Sequence, residues 1–258
     1  MPETPTKSFY IIAHEPGAEH PAIPTWANQS ENPARLDTNP KAEIERYDIA
    51  SVPGAFQILN VLSKTECQRI ISLTESLGYL QDAAVSLPRS VRHNDSFTWI
   101  ADRQTNDLLW QRCSEFVNQE LNLFGNKRAL GLNARFRFYR YQTGDFFAPH
   151  TDGSWPGSEV IDRELITNAY DDRWSQLTFL LFLSDDYEGG RTAFHVTGNN
   201  PDMPETNHEQ TDFIPVRTPI GAALCFPHGL HPLHCLHSSE PVTLGTKYII
   251  RSDVLFEL

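Results

Sequence analysis

The stretch from Arg135 to Asp152 reads RFRFYRYQTGDFFAPHTD. Its first seven residues alternate between two sets of side chains, which is the two-residue period of a β-strand. Phe136 and Phe138 fall on one face and are expected in the core. The opposite face collects polar and tyrosine side chains: Arg135, Arg137, Tyr139 and Tyr141. Gly144 then marks a turn before a second strand.

Short strands separated by turn residues continue to the end of the chain. The predicted strands are 134–142, 147–153, 176–183, 191–196, 213–217, 221–226 and 242–251. Turn signals separate several of them, at Gly189-Gly190, at 198–201 and at 219–221. This spacing predicts a mainly β domain of the jelly-roll kind, flanked by helices. The open mouth of a jelly roll can receive ligands from strands that are far apart in sequence.

The chain divides into three regions. Residues 1–45 are rich in Pro, Asn, Glu and Ala, so we expect an N-terminal extension that is largely loop, with at most one strand. Residues 46–130 are predicted to be a helical support region of the same domain. Residues 131–258 are predicted to be the jelly-roll core that carries the chemistry.

Two helices are predicted in the support region. Ser63 and Glu66 form a capping box at the start of the first helix, and Gly78 can end it. The second helix is predicted to begin near Thr105 or Asn106 and to close at Gly125. Each apolar face includes a cysteine, for which core packing is favoured over a reactive thiol because free cysteine behaves as a small hydrophobe.

Composition limits the classes of function. The 258 residues carry a net charge of −12, which argues against a nucleic-acid partner because a broad nucleic-acid surface needs a basic face. The four cysteines have no C-x-x-C spacing, so we expect no disulfide framework and a reducing cytoplasm. There is neither a signal-peptide pattern nor an apolar span of about 18 residues, so we expect a soluble protein without a membrane partner.

Three residues form the pattern of a metal site. His150 and Asp152 are two apart on a predicted strand, so their side chains should point the same way. His237 lies far along the chain, just before the final predicted strand. A His-x-Asp pair plus a distant His can fill one face of an octahedral metal and leave positions open, as in non-haem Fe(II) oxygenases. His150, Asp152 and His237 are therefore the predicted metal ligands and catalytic residues.

The segment that leads to His237 leaves an alternative open. Histidines recur in it at every third position: His228, His231 and His234. His234 is the alternative third ligand. A second metal site that includes Cys235 is disfavoured, because Gly229 and Pro232 would break any helix that held these side chains on one face.

Lys247 lies on the final predicted strand, with Ile249 and Arg251 on the same face. A lysine that points into a barrel is costly unless it is paired, and an incoming carboxylate would supply the pair. The alternative is an outward lysine on an edge strand. Arg251 could bind the carboxylate instead, or pair with Asp253 or the C-terminal carboxylate.

Four motifs follow one another in the second half of the chain. They are Y-x2-G-x4-P-H-x-D at 141–152, LTFLLFL at 177–183 leading to E-G-G-x-T-x-F at 188–194, G-A-A-L-x-F at 221–226, and H-x3-P-V-x2-G-x-K-Y at 237–248. In this order they resemble the catalytic domain of prolyl-4-hydroxylase-type 2-oxoglutarate/Fe(II) oxygenases, over about residues 45–256. The fold of that family, a double-stranded β-helix with helices outside, agrees with the predicted strands and helices.

The resemblance assigns roles to individual residues. His150, Asp152 and His237 match the iron ligands of the family. Lys247 matches the residue that pairs with the far carboxylate of 2-oxoglutarate, and Tyr141 matches a tyrosine that hydrogen-bonds this cosubstrate. Four residues are candidates for contact with the substrate: Arg92, Asn94, Arg137 and Tyr139. Phe182 departs from the pattern, since some relatives carry a second tyrosine there.

The resemblance also implies an activity, the hydroxylation of an unactivated C–H bond coupled to conversion of 2-oxoglutarate to succinate and CO₂. The implied cofactors are Fe(II), 2-oxoglutarate and O₂, with ascorbate as a candidate reductant. The expected substrate is a prolyl residue or a proline-like compound, so the partner is peptidyl or a small molecule. Three alternatives stay open: a hydroxylase of another small molecule or amino acid, a non-catalytic jelly roll, and a zinc protein that uses the same three residues.

Overall fold

The computed structural model describes residues 8–82, 87–196 and 212–258. Its helices are α1 (Lys64–Leu77), α2 (Arg103–Val117) and a 3-10 helix at Asn118–Phe124 that continues α2. Its strands are β1 (Phe9–Glu15), β2 (Ile23–Asn28), β3 (Glu45–Asp48), β4 (Phe56–Leu59), β5 (Arg92–His93), β6 (Asp95–Ile100), β7 (Ala129–Leu132), β8 (Arg135–Tyr141), β9 (Phe146–His150), β10 (Glu159–Ile161), β11 (Glu164–Ile166), β12 (Arg173–Phe182), β13 (Tyr187–Gly189), β14 (Thr192–Val196), β15 (Asp212–Val216), β16 (Ala223–Pro227), β17 (His237–Ser239), β18 (Val242–Gly245) and β19 (Lys247–Glu257).

Two sheets form the jelly roll that the strand spacing predicts. The larger sheet has the order β1-β2-β6-β8-β19-β12-β16-β4-β3, with β7 beside β19. The smaller sheet has the order β15-β14-β17-β9-β5. Strands that are neighbours in space come from distant parts of the sequence. Residues from both halves of the chain therefore meet between the sheets.

Alternation along β8 divides the core in two. Phe136 and Phe138 point to one side, where they pack in a cluster with Cys113 of α2. Tyr139 and Tyr141 point to the other side, into a cluster that joins both sheets. The period of two predicted from the sequence is confirmed, and it turns the tyrosine face of β8 toward the interior of the jelly roll.

Both predicted helices pack beside the larger sheet. The capping box of α1 is present: Ser63 accepts a hydrogen bond from the backbone N–H of Glu66, and Glu66 binds the backbone N–H of Ser63. The buried Glu66 carboxylate also accepts a bond of 2.8 Å from Arg112 of α2. This ion pair links the two helices. A second nitrogen of the Arg112 guanidinium, Nη1, donates a hydrogen bond to the carbonyl oxygen of Val61.

The second helix begins earlier and ends earlier than its apolar stripe indicates. Asp102 caps it by accepting the N–H of Thr105, and the helix begins at Arg103, so the start predicted near Thr105 or Asn106 is late by two or three residues. After Val117 the chain tightens into the 3-10 helix, which Gly125 closes in the left-handed region at φ 64°. The helix begins before its first apolar residue because the Asp102 side chain accepts from a free N–H group of the first turn. The spacing of apolar residues does not reveal this polar cap.

The four cysteines are free and buried. Burial raises the pKa of the Cys67, Cys113 and Cys235 thiols to about 12. Thiols in this state are poor nucleophiles because the thiolate is the reactive form. The prediction of core packing is confirmed.

The N-terminal residues contain two strands, where the sequence predicted at most one. β1 pairs antiparallel with β2, and β2 pairs parallel with β6 of the larger sheet. Local pattern hides these strands because a bulge between Ile11 and Ala13 breaks the alternation of β1 and because Pro24 stands inside β2. No helix within the described ranges is long and apolar enough to cross a membrane.

Two strand boundaries near the candidate site also differ from expectation. The strand predicted at 242–251 is two strands, because Gly245 adopts a left-handed φ of 79° and separates β18 from β19. The strand predicted at 147–153 ends at His150, so Asp152 follows the strand instead of lying on it. The short strand β17, which carries His237, has no counterpart among the predicted strands.

Candidate metal and cosubstrate site

The three predicted ligands converge at the mouth of the jelly roll. His150 ends β9 and His237 begins β17, and the two residues are partners in the antiparallel pairing of these strands. The Nε2 atoms of His150 and His237 lie 3.8 Å and 3.9 Å from the carboxylate oxygens of Asp152. These distances are less than twice a metal–ligand bond of about 2.0–2.2 Å, so one ion can contact all three side chains. Strand pairing thus brings together residues that are 87 positions apart in sequence.

Both imidazoles are oriented for metal binding. Nδ1 of His150 lies 2.9 Å from the carbonyl oxygen of Ala148, and Nδ1 of His237 lies 3.0 Å from that of Cys235. A carbonyl oxygen only accepts, so each Nδ1 carries the proton and each Nε2 keeps its lone pair. Burial lowers the pKa of His150 to about 3 and also lowers the pKa of His237. Both rings are therefore neutral at physiological pH, as metal ligands must be.

The Asp152 carboxylate is held ionised. Burial by itself would raise its pKa, but the positive charge of Arg251 outweighs burial and holds the pKa well below its usual range. Nη2 of Arg251 lies 3.5 Å from Asp152 Oδ1 and 3.0 Å from Asp253 Oδ1. The predicted pairing of Arg251 with Asp253 is present. The same guanidinium nitrogen also lies near Asp152, so Arg251 points toward the carboxylate of the metal group.

A chain of hydrogen bonds supports Asp152 from behind. The Thr178 hydroxyl lies 2.7 Å from Asp152 Oδ2 and 2.8 Å from Nδ1 of His228, and Nε2 of His228 lies 2.9 Å from the Ser175 hydroxyl. Because an ionised carboxylate only accepts, Thr178 donates to Asp152 and takes a hydrogen bond from His228. The Ser175 oxygen in turn accepts the backbone N–H of Trp155. His228 is thus a buried neutral link in the support of Asp152.

The remaining histidines of the run serve the backbone. Nε2 of His231 lies 2.6 Å from the carbonyl oxygen of Leu123, and Nδ1 of His234 lies 3.1 Å from that of His231. Within the described ranges His150, Asp152 and His237 form the one group of side chains spaced to hold a metal. The alternative ligand His234 and the second site around Cys235 are not part of it.

Lys247 is buried beside this group. Its Nζ donates to the carbonyl oxygen of Gly190 at 2.7 Å and to the Ser239 hydroxyl at 2.9 Å. No carboxylate in the described ranges forms an ion pair with it. Burial, with a contribution from Arg217, lowers the pKa of Lys247 to about 7. The alternative of an outward lysine on an edge strand is wrong, since β19 lies in the middle of the larger sheet.

Aromatic rings surround the ammonium group. Tyr141 is the cross-strand partner of Lys247, and its ring centroid lies 5.0 Å from Nζ. Burial raises the pKa of Tyr141, so its hydroxyl keeps its proton and can donate a hydrogen bond. The ring of Phe182, which has no hydroxyl, lies 5.5 Å from Nζ. The ammonium group and the phenol are therefore two of the polar groups that this part of the site offers a carboxylate, and the hydroxyls of Thr192 and Ser239 line the same cavity.

A cavity of about 220 Å³ contains the three ligands, Lys247 and Tyr141. Three of the four candidate substrate residues also line it, namely Arg92, Arg137 and Tyr139. Asn94 does not: it is buried, and its amide donates to the backbone of Asp95 and to Ser96. Asn94 misses the cavity because it follows Arg92 by two positions but lies between β5 and β6, where the strand alternation that would align the two side chains is interrupted.

Comparison with a known family agrees with this geometry. Residues 136–252 match the family model described as the 2OG-Fe(II) oxygenase superfamily. Residues 136–252 are a 2OG-Fe(II) oxygenase domain. The protein is accordingly a dioxygenase that uses Fe(II), 2-oxoglutarate and O₂. The oxygenase domain begins in β8 and ends in β19, so it contains all three members of the metal group, Lys247 and Tyr141.

Solved structures share the fold of the oxygenase. The viral collagen prolyl hydroxylase of Paramecium Bursaria Chlorella virus-1, in its 2OG complex, is 16% identical with a TM-score of 0.50, over 82% of this chain and 100% of that one. A prolyl hydroxylase from Trichoplax adhaerens, solved with a peptide of the hypoxia inducible factor oxygen degradation domain, is 16% identical with a TM-score of 0.51, over 79% and 84% of the two chains. None of the curated proteins compared with the chain matches it.

The residues of the oxygenase fit the cofactors of its family. Two neutral imidazoles and one carboxylate are the ligand set of non-haem Fe(II) oxygenases. Each imidazole is fixed by a backbone carbonyl, and the Phe147 ring stacks on His150 with the centroids 3.5 Å apart. A buried ammonium group that no carboxylate of the described residues pairs with suits a dicarboxylate cosubstrate. Sequence reasoning missed Trp155, Thr178 and His228, whose roles depend on contacts between distant segments.

Proposed function

We propose that this enzyme hydroxylates an unactivated C–H bond of a prolyl residue or a proline-like compound. The observation that carries the proposal is the convergence of His150, Asp152 and His237 beside the buried Lys247 in one cavity. The prolyl class is supported by the solved structures of similar fold, which are prolyl hydroxylases. A screen that reads succinate release, with prolyl peptides beside free amino acids, tests it; 2-oxoglutarate consumption that no candidate stimulates counts against the prolyl class.

In this proposal His150 and His237 would hold Fe(II) through Nε2, and Asp152 would hold it through its carboxylate. The chemistry that bound Fe(II) supplies is the activation of O₂, with 2-oxoglutarate converted to succinate and CO₂ as a C–H bond is hydroxylated. These three side chains would hold the ion and would leave room beside it for the cosubstrate and O₂. The protein fixes these ligands, excludes bulk water and orients the substrate.

Lys247 and Tyr141 are proposed to bind the far carboxylate of 2-oxoglutarate. The ammonium group is already desolvated, and Gly190 and Ser239 hold it in place. A carboxylate that enters this site completes an ion pair in surroundings of low polarity, where charge-assisted hydrogen bonds are strong. We further propose a cytoplasmic location, which the four unpaired, buried thiols support.

The affinity for 2-oxoglutarate is expected to fall as the pH rises above 7. Lys247 has a pKa lowered to about 7 before the cosubstrate binds, so the ammonium form is present below pH 7 and is lost as the pH rises through that value. Binding above pH 7 must include protonation of Lys247, which weakens the affinity by about tenfold per pH unit until the pKa of the complex is reached. Isothermal titration of the Mn(II)-loaded protein between pH 6.5 and 9 measures this slope.

The matched control is Lys247→Arg, whose guanidinium stays charged over the whole range. Its affinity for 2-oxoglutarate should change little with pH, whatever its absolute value. A slope as steep as that of the unmodified protein would assign the titration to another group.

Thr178→Val is expected to weaken Fe(II) binding by about 10–100-fold, the usual cost of removing a group that supports a metal ligand. Valine keeps the shape of threonine but cannot donate to Asp152 or accept from His228. Thr178→Ser restores the hydroxyl and should recover most of the affinity. Competition with a fluorescent chelator measures it, and equal affinities for the Val and Ser variants would exclude this role of Thr178.

A further inference from the structure

Arg137 lines the cavity but has no part in the chemistry proposed above. It lies on β8, directly opposite Arg251 in the pairing with β19. Like charges in this position destabilise a sheet. Arg251 is offset by Asp152 and Asp253, whereas Arg137 forms no hydrogen bond or ion pair with any residue in the described ranges. The fold therefore tolerates a second cation without balancing it internally.

Trp155 holds this cation in place. The Cζ atom of Arg137 lies over the Trp155 ring, 5.2 Å from its centroid, within the range of a cation–π contact. A guanidinium held over an aromatic ring can still donate hydrogen bonds through its N–H groups. The surrounding protein and Arg251 lower the pKa of Arg137, yet a guanidinium stays charged in proteins. The result is a set of N–H donors that borders the cavity and has no acceptor among the residues that the structure describes.

The charges of the cofactors do not satisfy Arg137. The two negative charges of 2-oxoglutarate are balanced by Lys247 and by the single positive charge that Fe(II) keeps beside Asp152. Arg251 is balanced by Asp253. Arg137 is left over, in a chain whose net charge is −12. The protein as a whole carries more acidic than basic side chains, yet this part of the cavity holds an unbalanced positive charge. We take this local excess as the sign of a site for an anion.

We propose that Arg137, held by Trp155, binds the carboxylate of the hydroxylation substrate, so that the substrate is a small free acid such as an amino or imino acid. Arginine matches a carboxylate with two parallel hydrogen bonds. The cavity of about 220 Å³ lies below the range of about 300–1,000 Å³ common for ligand sites, and it must also hold 2-oxoglutarate. This inference rests on the proposed function and narrows it, because a residue inside a peptide has no carboxylate of its own at the backbone.

The test compares acids with their own amides. The Mn(II)- and 2-oxoglutarate-loaded protein, which does not turn over, is titrated by calorimetry with L-proline, L-pipecolate and other free amino acids, each beside its primary amide, and with an N-acetylated, C-amidated prolyl tripeptide. At least one acid should bind, and its amide should bind about 10–100-fold more weakly, as expected when a hydrogen bond to a charged group is lost. Arg137→Gln should reduce the affinity for that acid by a similar factor, and Arg137→Lys should reduce it less.

Two controls separate this inference from the proposed function. The unmodified protein should bind 2-oxoglutarate and release succinate slowly without substrate; if it has neither property, the proposed function itself fails. Arg173→Gln removes an arginine that pairs with Asp172 at the surface and should leave acid binding unaltered. The inference is overturned if no acid binds, if acid and amide bind equally, if the blocked tripeptide alone binds, or if Arg137→Gln keeps full affinity for the acid.

Discussion

Replacing His150 by alanine is expected to abolish Fe(II) binding and, with it, 2-oxoglutarate-dependent succinate formation. The substitution removes one of three ligands and the stacking partner of Phe147. Loss of a group that merely supports a ligand costs about 10–100-fold in metal affinity or activity, so loss of the ligand itself should exceed about 100-fold. Iron content after anaerobic reconstitution and succinate yield per protein measure the two effects.

His234→Ala is the matched control, because His234 belongs to the same histidine-rich segment but, among the described residues, its ring hydrogen-bonds only to the backbone carbonyl of His231. This variant should bind Fe(II) and release succinate as the unmodified protein does. Full turnover by His150→Ala, with a folded protein shown by its unchanged thermal transition, would refute the assignment of the ligand. Loss of iron in His234→Ala instead would restore the alternative that the spacing of the histidines leaves open.

The strand pattern could be predicted because alternation is a local property. Phe136 and Phe138 face the helices while Tyr139 and Tyr141 face the cavity, as their spacing indicates. The capping box at Ser63 is equally local, since both partners lie within one turn. In such places the chemistry of neighbouring residues fixes the backbone, and tertiary contacts only reinforce it.

Other features depend on pairing between distant segments and leave no local signal. The strand β17 has three residues, too few to show a period, and it exists because β14 and β9 supply hydrogen bonds on its two sides. The support of Asp152 by Thr178 and His228 joins three segments in the same way. Thr178 stands in an apolar stretch and gives no sign of its role until the fold brings Asp152 to it.

The histidine-rich segment illustrates how sequence can suggest one chemistry and structure another. Four histidines at every third position resemble a metal-binding tract, yet only His237 lies in the metal group. His228 is buried and carries hydrogen bonds between two hydroxyl groups. His231 accepts the N–H of Leu233 and so closes the turn before the last ligand. The repeated spacing therefore does not reflect one shared function. His237 lies in the metal group, His228 connects two hydroxyl groups, and His231 closes a turn.

Lys247→Met is expected to weaken the binding of 2-oxoglutarate by about 2–5 kcal/mol, the usual cost of truncating one partner of a buried, hydrogen-bonded charge pair. That is a loss of about 30-fold or more in affinity. Methionine keeps the unbranched shape of lysine between the rings of Tyr141 and Phe182, so packing around the site should survive. The rate of succinate release by the variant should then be close to that of the unmodified protein at saturating 2-oxoglutarate and far below it at low 2-oxoglutarate. Kinetics over a wide range of cosubstrate concentration can measure this difference.

The comparison with other cations decides whether Lys247 acts as the proposed carboxylate partner. Lys64→Met removes an exposed lysine that lies 3.7 Å from Asp185 on the surface, and it should leave the requirement for 2-oxoglutarate unchanged. If Lys247→Met also leaves this requirement unchanged, the carboxylate must be bound by another cation, and Arg251 is the next candidate on the same face of β19. Because Arg251 is already engaged with Asp152 and Asp253, its use for 2-oxoglutarate would release Asp152 from an ion pair.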